Sequence, residues 1–326
     1  MDYFDFAAPL PNEFPIGSVK RTASLEMLIP DADVRVRTPV GMPSPDGHIS
    51  VSVSTAFQPN TKIDGLLPDL VLVSSDNVFF HVNYHVLRGA SENFFGALLH
   101  ADLPYVDDGH PSVTSLPESA DVVNIVVHTI YSMSCTQFSP TFETIDAAVD
   151  ALLKYGMPIK TYIVSGSPLF NLILAQAPYR PIDTYALVAA HDLYDLAVTI
   201  SSHLLAYPLP SLTDKLSARM GPIYLKRLFF LHYGRMEALK NLVLRPPGSH
   251  SPTQICNSTQ QTKLTRVWAL ACAQMVWDAR PNLSTSAMQA ALSPLEQQLS
   301  CDLCKHALFE RIEELVREWS AIKRTI

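Results

Sequence analysis

The stretch DLVLVSSDNVFFHVNYHVLRGASENFFGALL, from Asp69 to Leu99, carries the most regular pattern in the chain. Two β-prone runs at 70–73 and 78–82 are separated by Ser, Asp and Asn, which predicts a β-hairpin with a tight turn. Helical spacing follows, and Ser91 is well placed to cap a second helix whose apolar face includes the phenylalanines and leucines of 94–99. No catalytic motif accompanies this pattern.

Beyond the hairpin, the sequence predicts one more strand and then a series of helices. Residues 111–119 predict a third strand that ends in a turn, and the apolar spacing from Val122 to Ile130 predicts a helix. Another helix begins near Thr144 and ends at the Gly and Pro of 156–158. Further helices are predicted at 181–205, from Pro222 onward, and near Lys263–Asp278, Ser284–Leu292 and Cys301–Lys323.

Composition limits the class of protein. The chain has 326 residues, 48% of them hydrophobic and 17% charged, which is typical of a folded protein. Its formal charge of −7 lacks the basic footprint of a nucleic-acid binder, and no uncharged apolar run reaches the ~18–20 residues that span a bilayer. Five cysteines argue against a disulfide framework, so we expect a reduced compartment, cytoplasmic or nuclear, and no secretory signal.

The segments from Pro68 to Met157 resemble, in order and spacing, the BTB (POZ) family, in particular fungal members with a helical C-terminal region. The residues that carry the resemblance are Asp69, Leu70, Leu72, Ser75-Asp76, Phe80, Val82, Val86-Leu87, Ala90-Ser91, Phe94-Phe95, Ile130-Tyr131 and Lys154-Tyr155. The chain departs from the family at Asn83, where a histidine is usual. We expect Asn83 to hydrogen-bond to nearby backbone or to Asp69.

The resemblance implies an α/β fold, a small sheet flanked by helices, followed by an all-α C-terminal domain. We expect a mostly disordered N-terminal tail at 1–64, rich in Pro, Asp, Ser and Thr with one possible short strand, a BTB domain at 65–160 and the helical domain at 161–326. The family consists of protein-interaction modules, so the expected partners are a second copy of the chain and other proteins, with no nucleic acid and no membrane. The interface candidates are Val86, Leu87, Phe94, Tyr105, Asp107 and Asp108.

Some members of the family recruit a cullin scaffold through a hydrophobic–x–acid motif before the third strand. The loop HADLPYVDDGHP offers Tyr105 with Asp107, or Val106 with Asp108, although Asp replaces the more usual Glu. An acidic loop is more often simply a solvated one. Cullin binding is therefore an alternative, not the first expectation.

Cysteine spacing raises a second alternative. Cys301-x-x-Cys304 is the usual half of a zinc site, and His250 or Cys256 could complete it. However, the apolar stripe Leu308, Ile312, Leu315 extends backward onto both cysteines, and a buried cysteine behaves as a small hydrophobe. We interpret the pair as core residues and predict no cofactor, with zinc left open.

Enzyme motifs are missing from the sequence: it contains no G-x-S-x-G, H-E-x-x-H or glycine-rich phosphate loop. The first hypothesis is a non-enzymatic scaffold that self-associates through its BTB domain. The alternatives are a substrate adaptor of a cullin-type ubiquitin ligase and a zinc-stabilised regulatory module.

Overall fold

The computed structural model describes residues 52–63, 65–99 and 111–326. A four-stranded mixed sheet has the order β1-β3-β2-β4. Its strands are β1 (Ser52–Val53), β2 (Leu70–Val73), β3 (Val78–Val82) and β4 (Ser112–Ser115). β2 and β3 form the predicted antiparallel hairpin, with Leu70 opposite Val82, whereas β1–β3 and β2–β4 are parallel pairs.

The burial of each strand follows from its apolar pattern. β2 lies between two partners, and its first three apolar residues are buried while Val73 is partly buried, as is typical of an inner strand. β3 alternates between buried and partly buried residues, because successive side chains point to opposite faces. In the turn between them, Ser74 Oγ accepts the N–H of Val78 at 3.0 Å, and Asn77 adopts a left-handed conformation with φ of 62°.

The N-terminal boundary of the folded part differs from the expectation. Sequence analysis assigned 52–63 to the tail, whereas the structure pairs β1 with β3 and buries Phe57 completely. The Phe57 ring contacts the rings of His128 and Tyr131 at centroid distances of 5.0 and 5.6 Å. The sequence did not predict the burial of Phe57, because one aromatic residue in a polar segment gives no apolar periodicity. Residues 1–51 and 64 of the predicted tail lie outside the described residues.

Helix α1 (Tyr84–Ala90) follows the hairpin as predicted, but the segment after Ser91 does not form the predicted right-handed helix. In α2 (Phe94–Ala97) all four residues have positive φ, between 55° and 68°. Asn93 occupies the N-cap position and accepts the N–H of Gly96 at 2.7 Å, and Ser91 Oγ, the predicted cap, accepts the N–H of Phe95 at 2.6 Å. Left-handed backbone costs roughly 1–2 kcal/mol per residue, so these side-chain hydrogen bonds stabilise a conformation that periodicity alone does not predict.

Helices α3 (Ala120–Ile130) and α4 (Phe142–Lys154) pack together beside the sheet, as predicted. The first turn of α3 is capped from the hairpin, since Asp76 Oδ1 accepts the N–H of Ala120 at 2.8 Å. Asn83 donates to the carbonyl of Leu67 at 2.7 Å, and Tyr131 donates to Asn83 Oδ1 at 3.1 Å. The expected bond of Asn83 to nearby backbone is therefore confirmed.

The rest of the chain is helical, as the sequence predicts. The helices are α5 (Ile159–Tyr162), α6 (Pro168–Leu174), α7 (Pro181–Ala190), α8 (Tyr194–Ser201), α9 (Asp214–Val243), α10 (Ser258–Trp277), α11 (Thr285–Leu292) and α12 (Asp302–Ala321). Short 3₁₀ turns occur at Thr136–Phe138, Ser202–Ala206, Leu209–Ser211 and Ser293–Gln298. Within α9, Gly221 has φ of 71° and breaks the helix just before Pro222, the predicted start.

One predicted helix is two in the structure. The apolar stripe of 181–205 is interrupted between α7 and α8, where Asp192 has φ of 51°. Its carboxylate accepts hydrogen bonds from Lys160 Nζ at 2.6 Å and from Tyr224 Oη at 2.8 Å. Contacts with α5 and α9 thus stabilise a break that the stripe does not reveal.

Buried apolar residues form two cores. The larger extends from Phe57 to Leu228 and includes the sheet, while the smaller extends from Leu239 to Trp319. The smaller core is formed by the end of α9 together with α10, α11 and α12. The predicted boundary at 160/161 stays a prediction.

Candidate functional site

The first group of candidate residues lies on the hairpin and its helix. Leu87 is fully buried in the larger core, so it is unavailable to a partner in this conformation. Val86 is partly buried against the same core, and Phe94 is 36% exposed with the guanidinium of Arg88 3.7 Å above its ring. Only Phe94 among these three presents a large apolar surface to solvent.

The candidate cullin-binding residues cannot be placed. Tyr105, Asp107 and Asp108 lie outside the described residues. Their proposed contact with a cullin scaffold stays a prediction.

The edge of the sheet offers a surface that the sequence did not single out. β4 pairs with β2 on one side only within the described part of the chain, and its Val113 is 62% exposed. Leu66 and Leu67, which precede β2 in the chain, are 45% and 58% exposed. An exposed apolar side chain is unusual on an edge strand, because the unpaired backbone of an edge strand promotes pairing with another chain. The signal in the sequence was weak: a valine among serines and threonine.

The second group of candidates converges in the smaller core. The loop between α9 and α10 supplies His250 and Cys256, and the start of α12 supplies Cys301 and Cys304. The imidazole nitrogen and the three sulfur atoms all lie within 4.8 Å of one another. His250 Nε2 is 3.3 Å from Cys304 Sγ and 3.4 Å from Cys301 Sγ, and the sulfurs of Cys256 and Cys304 are 3.7 Å apart.

The sequence interpretation of these cysteines as core residues holds for their burial but is incomplete. Their exposed fractions are only 2%, 6% and 3% for Cys256, Cys301 and Cys304. The histidine beside them is partly buried, and its ring nitrogen points at two of the thiols. Within the described part of the chain, the ligand atoms of these four residues are the ones that lie close enough together to bind a single metal ion.

The five thiols differ in their acidity. The backbone N–H groups of Cys304 and Leu303, in the first turn of α12, lower the pKa of Cys301 to about 7. Burial raises the pKa of Cys135 to about 11 and those of Cys272 and Cys304 to about 12, and it also raises the pKa of Cys256. Cys135 and Cys272 are therefore buried, neutral thiols, whereas the pKa of Cys301 is the lowered one.

No described helix is both long and apolar enough to cross a lipid bilayer. Comparison with known proteins adds no relative: no family model, no curated protein and no solved structure matches this chain.

Proposed function

We propose that the chain is a non-enzymatic interaction scaffold of the BTB type that self-associates through its sheet. The order of elements supports this proposal. A hairpin, helix α1, a strand that returns parallel to β2, and the packed pair α3–α4 follow one another as the resemblance implies. The proposal concerns one partner, a second copy of the same chain.

The observation that carries the proposal is the open edge of β4. Its backbone has one strand partner within the described residues, and Val113 exposes 62% of its surface beside that edge. Monomeric proteins usually protect such edges with charged residues, yet the strand reads Ser-Val-Thr-Ser and carries none, and the nearby Pro111 and Pro117 lie outside it. Pairing with a second copy would satisfy the edge and bury the valine.

A contact between the β4 strands of two chains would by itself bury little surface area. An obligate dimer of this kind buries more than ~2,000 Å² in total, so neighbouring apolar surface must contribute. The exposed leucines Leu66 and Leu67 and the exposed ring of Phe94 belong to the same part of the chain and can supply it.

Light scattering coupled to size-exclusion chromatography tests the proposal on the full chain. At micromolar concentration we expect twice the 36.0 kDa mass of one chain. The variant Val113→Lys places a charge beside the edge and should shift the mass to that of a single chain, because the charge opposes strand pairing.

The control is Leu270→Lys on α10, which places the same charge at an apolar residue that is 76% exposed and far from the sheet in sequence. This variant should keep the wild-type mass. A wild-type chain that is monomeric at these concentrations, or a Val113→Lys variant that remains associated, would overturn self-association through this edge.

A further inference from the structure

We propose that His250, Cys256, Cys301 and Cys304 bind one Zn²⁺ ion as a tetrahedral Cys₃His centre in the helical C-terminal part. This site is separate from the sheet edge and needs no second chain. Three soft thiolates and one imidazole select zinc over the hard cations Mg²⁺ and Ca²⁺. Because all four positions are filled by protein ligands, the centre is of the structural kind.

The distances fit the coordination polyhedron. With Zn–S bonds of about 2.3 Å and Zn–N bonds of about 2.0–2.1 Å, a tetrahedral site separates two sulfurs by about 3.8 Å and a sulfur from a nitrogen by about 3.6 Å. The two sulfurs of Cys256 and Cys304 are 3.7 Å apart, and the nitrogen of His250 lies 3.3 and 3.4 Å from two sulfurs. These spacings leave room for one ion at the centre of the four atoms.

The tautomer of His250 provides an independent observation. Its Nδ1 lies 2.8 Å from the carbonyl oxygen of Ser251, and a carbonyl can only accept, so Nδ1 carries the proton. Nε2 therefore presents its lone pair to the thiols of Cys301 and Cys304. Metal-binding histidines are oriented in this way, by a hydrogen bond from the other ring nitrogen.

The backbone around the ligands is also held in place. Gln261, in the first turns of α10, donates to the carbonyl of His250 at 2.9 Å. Cys256 donates its N–H to Thr253 Oγ1 at 3.1 Å, and Thr253 donates its own to the carbonyl of Cys256 at 2.9 Å. A tight turn thus directs Cys256 towards the other ligands before any ion binds.

The position of Cys301 favours a thiolate. Cys301 is the residue that precedes α12, and Cys304 lies in its first turn. The positive end of the helix dipole stabilises negative charge there. A cleft of about 500 Å³, lined by His250, Leu303 and His306 among others, adjoins the cluster and gives an ion access from solvent.

The competing account is a packed cluster in which thiols donate to the imidazole. The two accounts predict different amounts of metal bound to the purified chain. We expect the full chain, purified without chelator, to contain one zinc per chain by elemental analysis. After removal of zinc, Co²⁺ should produce the visible bands of tetrahedral cobalt together with thiolate-to-metal charge transfer.

Variants locate the site. The double variant Cys301→Ser/Cys304→Ser should lose at least nine-tenths of the zinc, whereas Cys272→Ser, which changes a buried cysteine outside the cluster, should keep one zinc per chain. Because the double variant could fail to fold, a second measurement uses the wild-type chain: addition of a chelator should raise by three the number of cysteines that react with a thiol reagent.

A folded wild-type chain without zinc that gives no tetrahedral cobalt spectrum would overturn the proposal. So would zinc retained by the double variant, or thiol protection that a chelator does not change. None of these results bears on self-association, which is measured by mass.

Discussion

Glu118 illustrates how single residues secure the fold. Its carboxylate accepts hydrogen bonds from the Tyr155 hydroxyl and, at 2.5 Å, from Lys154 Nζ, while its carbonyl accepts the N–H of Ser75 at 2.9 Å. Burial alone would raise the pKa of Glu118, but the bonds from Lys154 and Tyr155 outweigh it, and the net pKa is lowered. The Tyr155 ring stacks on Phe95 at a centroid distance of 4.1 Å, so this network fixes the left-handed turn against α4.

Tyr155→Phe tests this network. The substitution keeps the ring but removes the hydroxyl that donates to Glu118, and a bond to a charged group contributes about 1.5–3 kcal/mol. We expect the free energy of unfolding in urea to fall by that amount. Tyr179→Phe changes a tyrosine that is 84% exposed and should have an effect within about 0.5 kcal/mol. Equal effects of the two substitutions would contradict the role of the hydroxyl.

His128 makes stability depend on pH. It is fully buried between the rings of Phe57 and Phe138, its Nδ1 donates to the carbonyl of Asn124 at 2.7 Å, and its Nε2 has no hydrogen-bond partner within the described residues. Burial lowers its pKa. Below pH ~6.5 the unfolded histidine binds a proton that the folded one does not, so stability decreases as the pH falls.

The variant His128→Phe removes this contribution. Between pH 7.5 and 5.5, urea denaturation of the wild-type chain should show a loss of stability larger than that of the variant by up to ~1.4 kcal/mol, the value of one pH unit for one group. His191 and His232, whose pKa values burial also lowers, keep their contributions in both proteins. Identical losses in the two proteins would show that His128 is protonated equally in both states.

The cluster of three thiols and His250 shows what a sequence reveals at the residue scale. The Cys301-x-x-Cys304 half-site and the two other candidates were recognisable from residue type. Their convergence was not, because His250 and Cys256 lie on a loop far from α12 in sequence, and only the packing of α9, α10 and α12 brings them together. The two interpretations of Cys301 and Cys304 are compatible, because both cysteines are buried in the core and also lie beside His250 and Cys256.

At the scale of elements, the sequence predicts helices and strands where their apolar periodicity is sustained. The hairpin, α3, α4 and the three last helices agree with the expectation within a few residues at their ends. The failures occur where a tertiary contact overrides periodicity. Asp192 is held by Lys160 and Tyr224 and separates α7 from α8, and Asn93 caps a left-handed turn in place of a helix.

The end of α9 depends on a residue from another helix. Arg311 of α12 is only 5% exposed and donates to the carbonyls of Leu242 at 2.6 Å and Arg245 at 3.1 Å. These carbonyls belong to the last turn of α9 and to the second residue beyond it, where intrahelical partners are lacking. Arg311 thus joins α9 to α12, and Glu314 at 2.6 Å balances its charge.

Arg311→Met should destabilise the C-terminal core. The substitution keeps most of the side-chain volume but removes two hydrogen bonds from a charged donor, each of which contributes roughly 1.5–3 kcal/mol. Arg311→Lys should recover only part of this loss, because an ammonium group lacks the planar fork that reaches both oxygens. Arg317→Met, at an exposed position on the same helix, is the control. Chemical denaturation in which both methionine variants behave alike would contradict this assignment.

At the scale of the whole molecule, two parts with separate cores carry two separable properties. The core that includes the sheet carries β4, whose second edge has no strand partner among the described residues, and the core at the end of the chain contains the thiol cluster. The proposed self-association belongs to the first and the proposed zinc centre to the second. Removal of zinc should therefore alter the stability of the C-terminal helices without dissociating the assembly.

The molar mass of the full wild-type chain in solution tests the central claim most directly. Light scattering across a micromolar concentration series, with and without chelator, should give twice the 36.0 kDa chain mass in both conditions. A mass of one chain throughout the series, in a sample that is folded, would contradict the account of this protein as a self-associating scaffold.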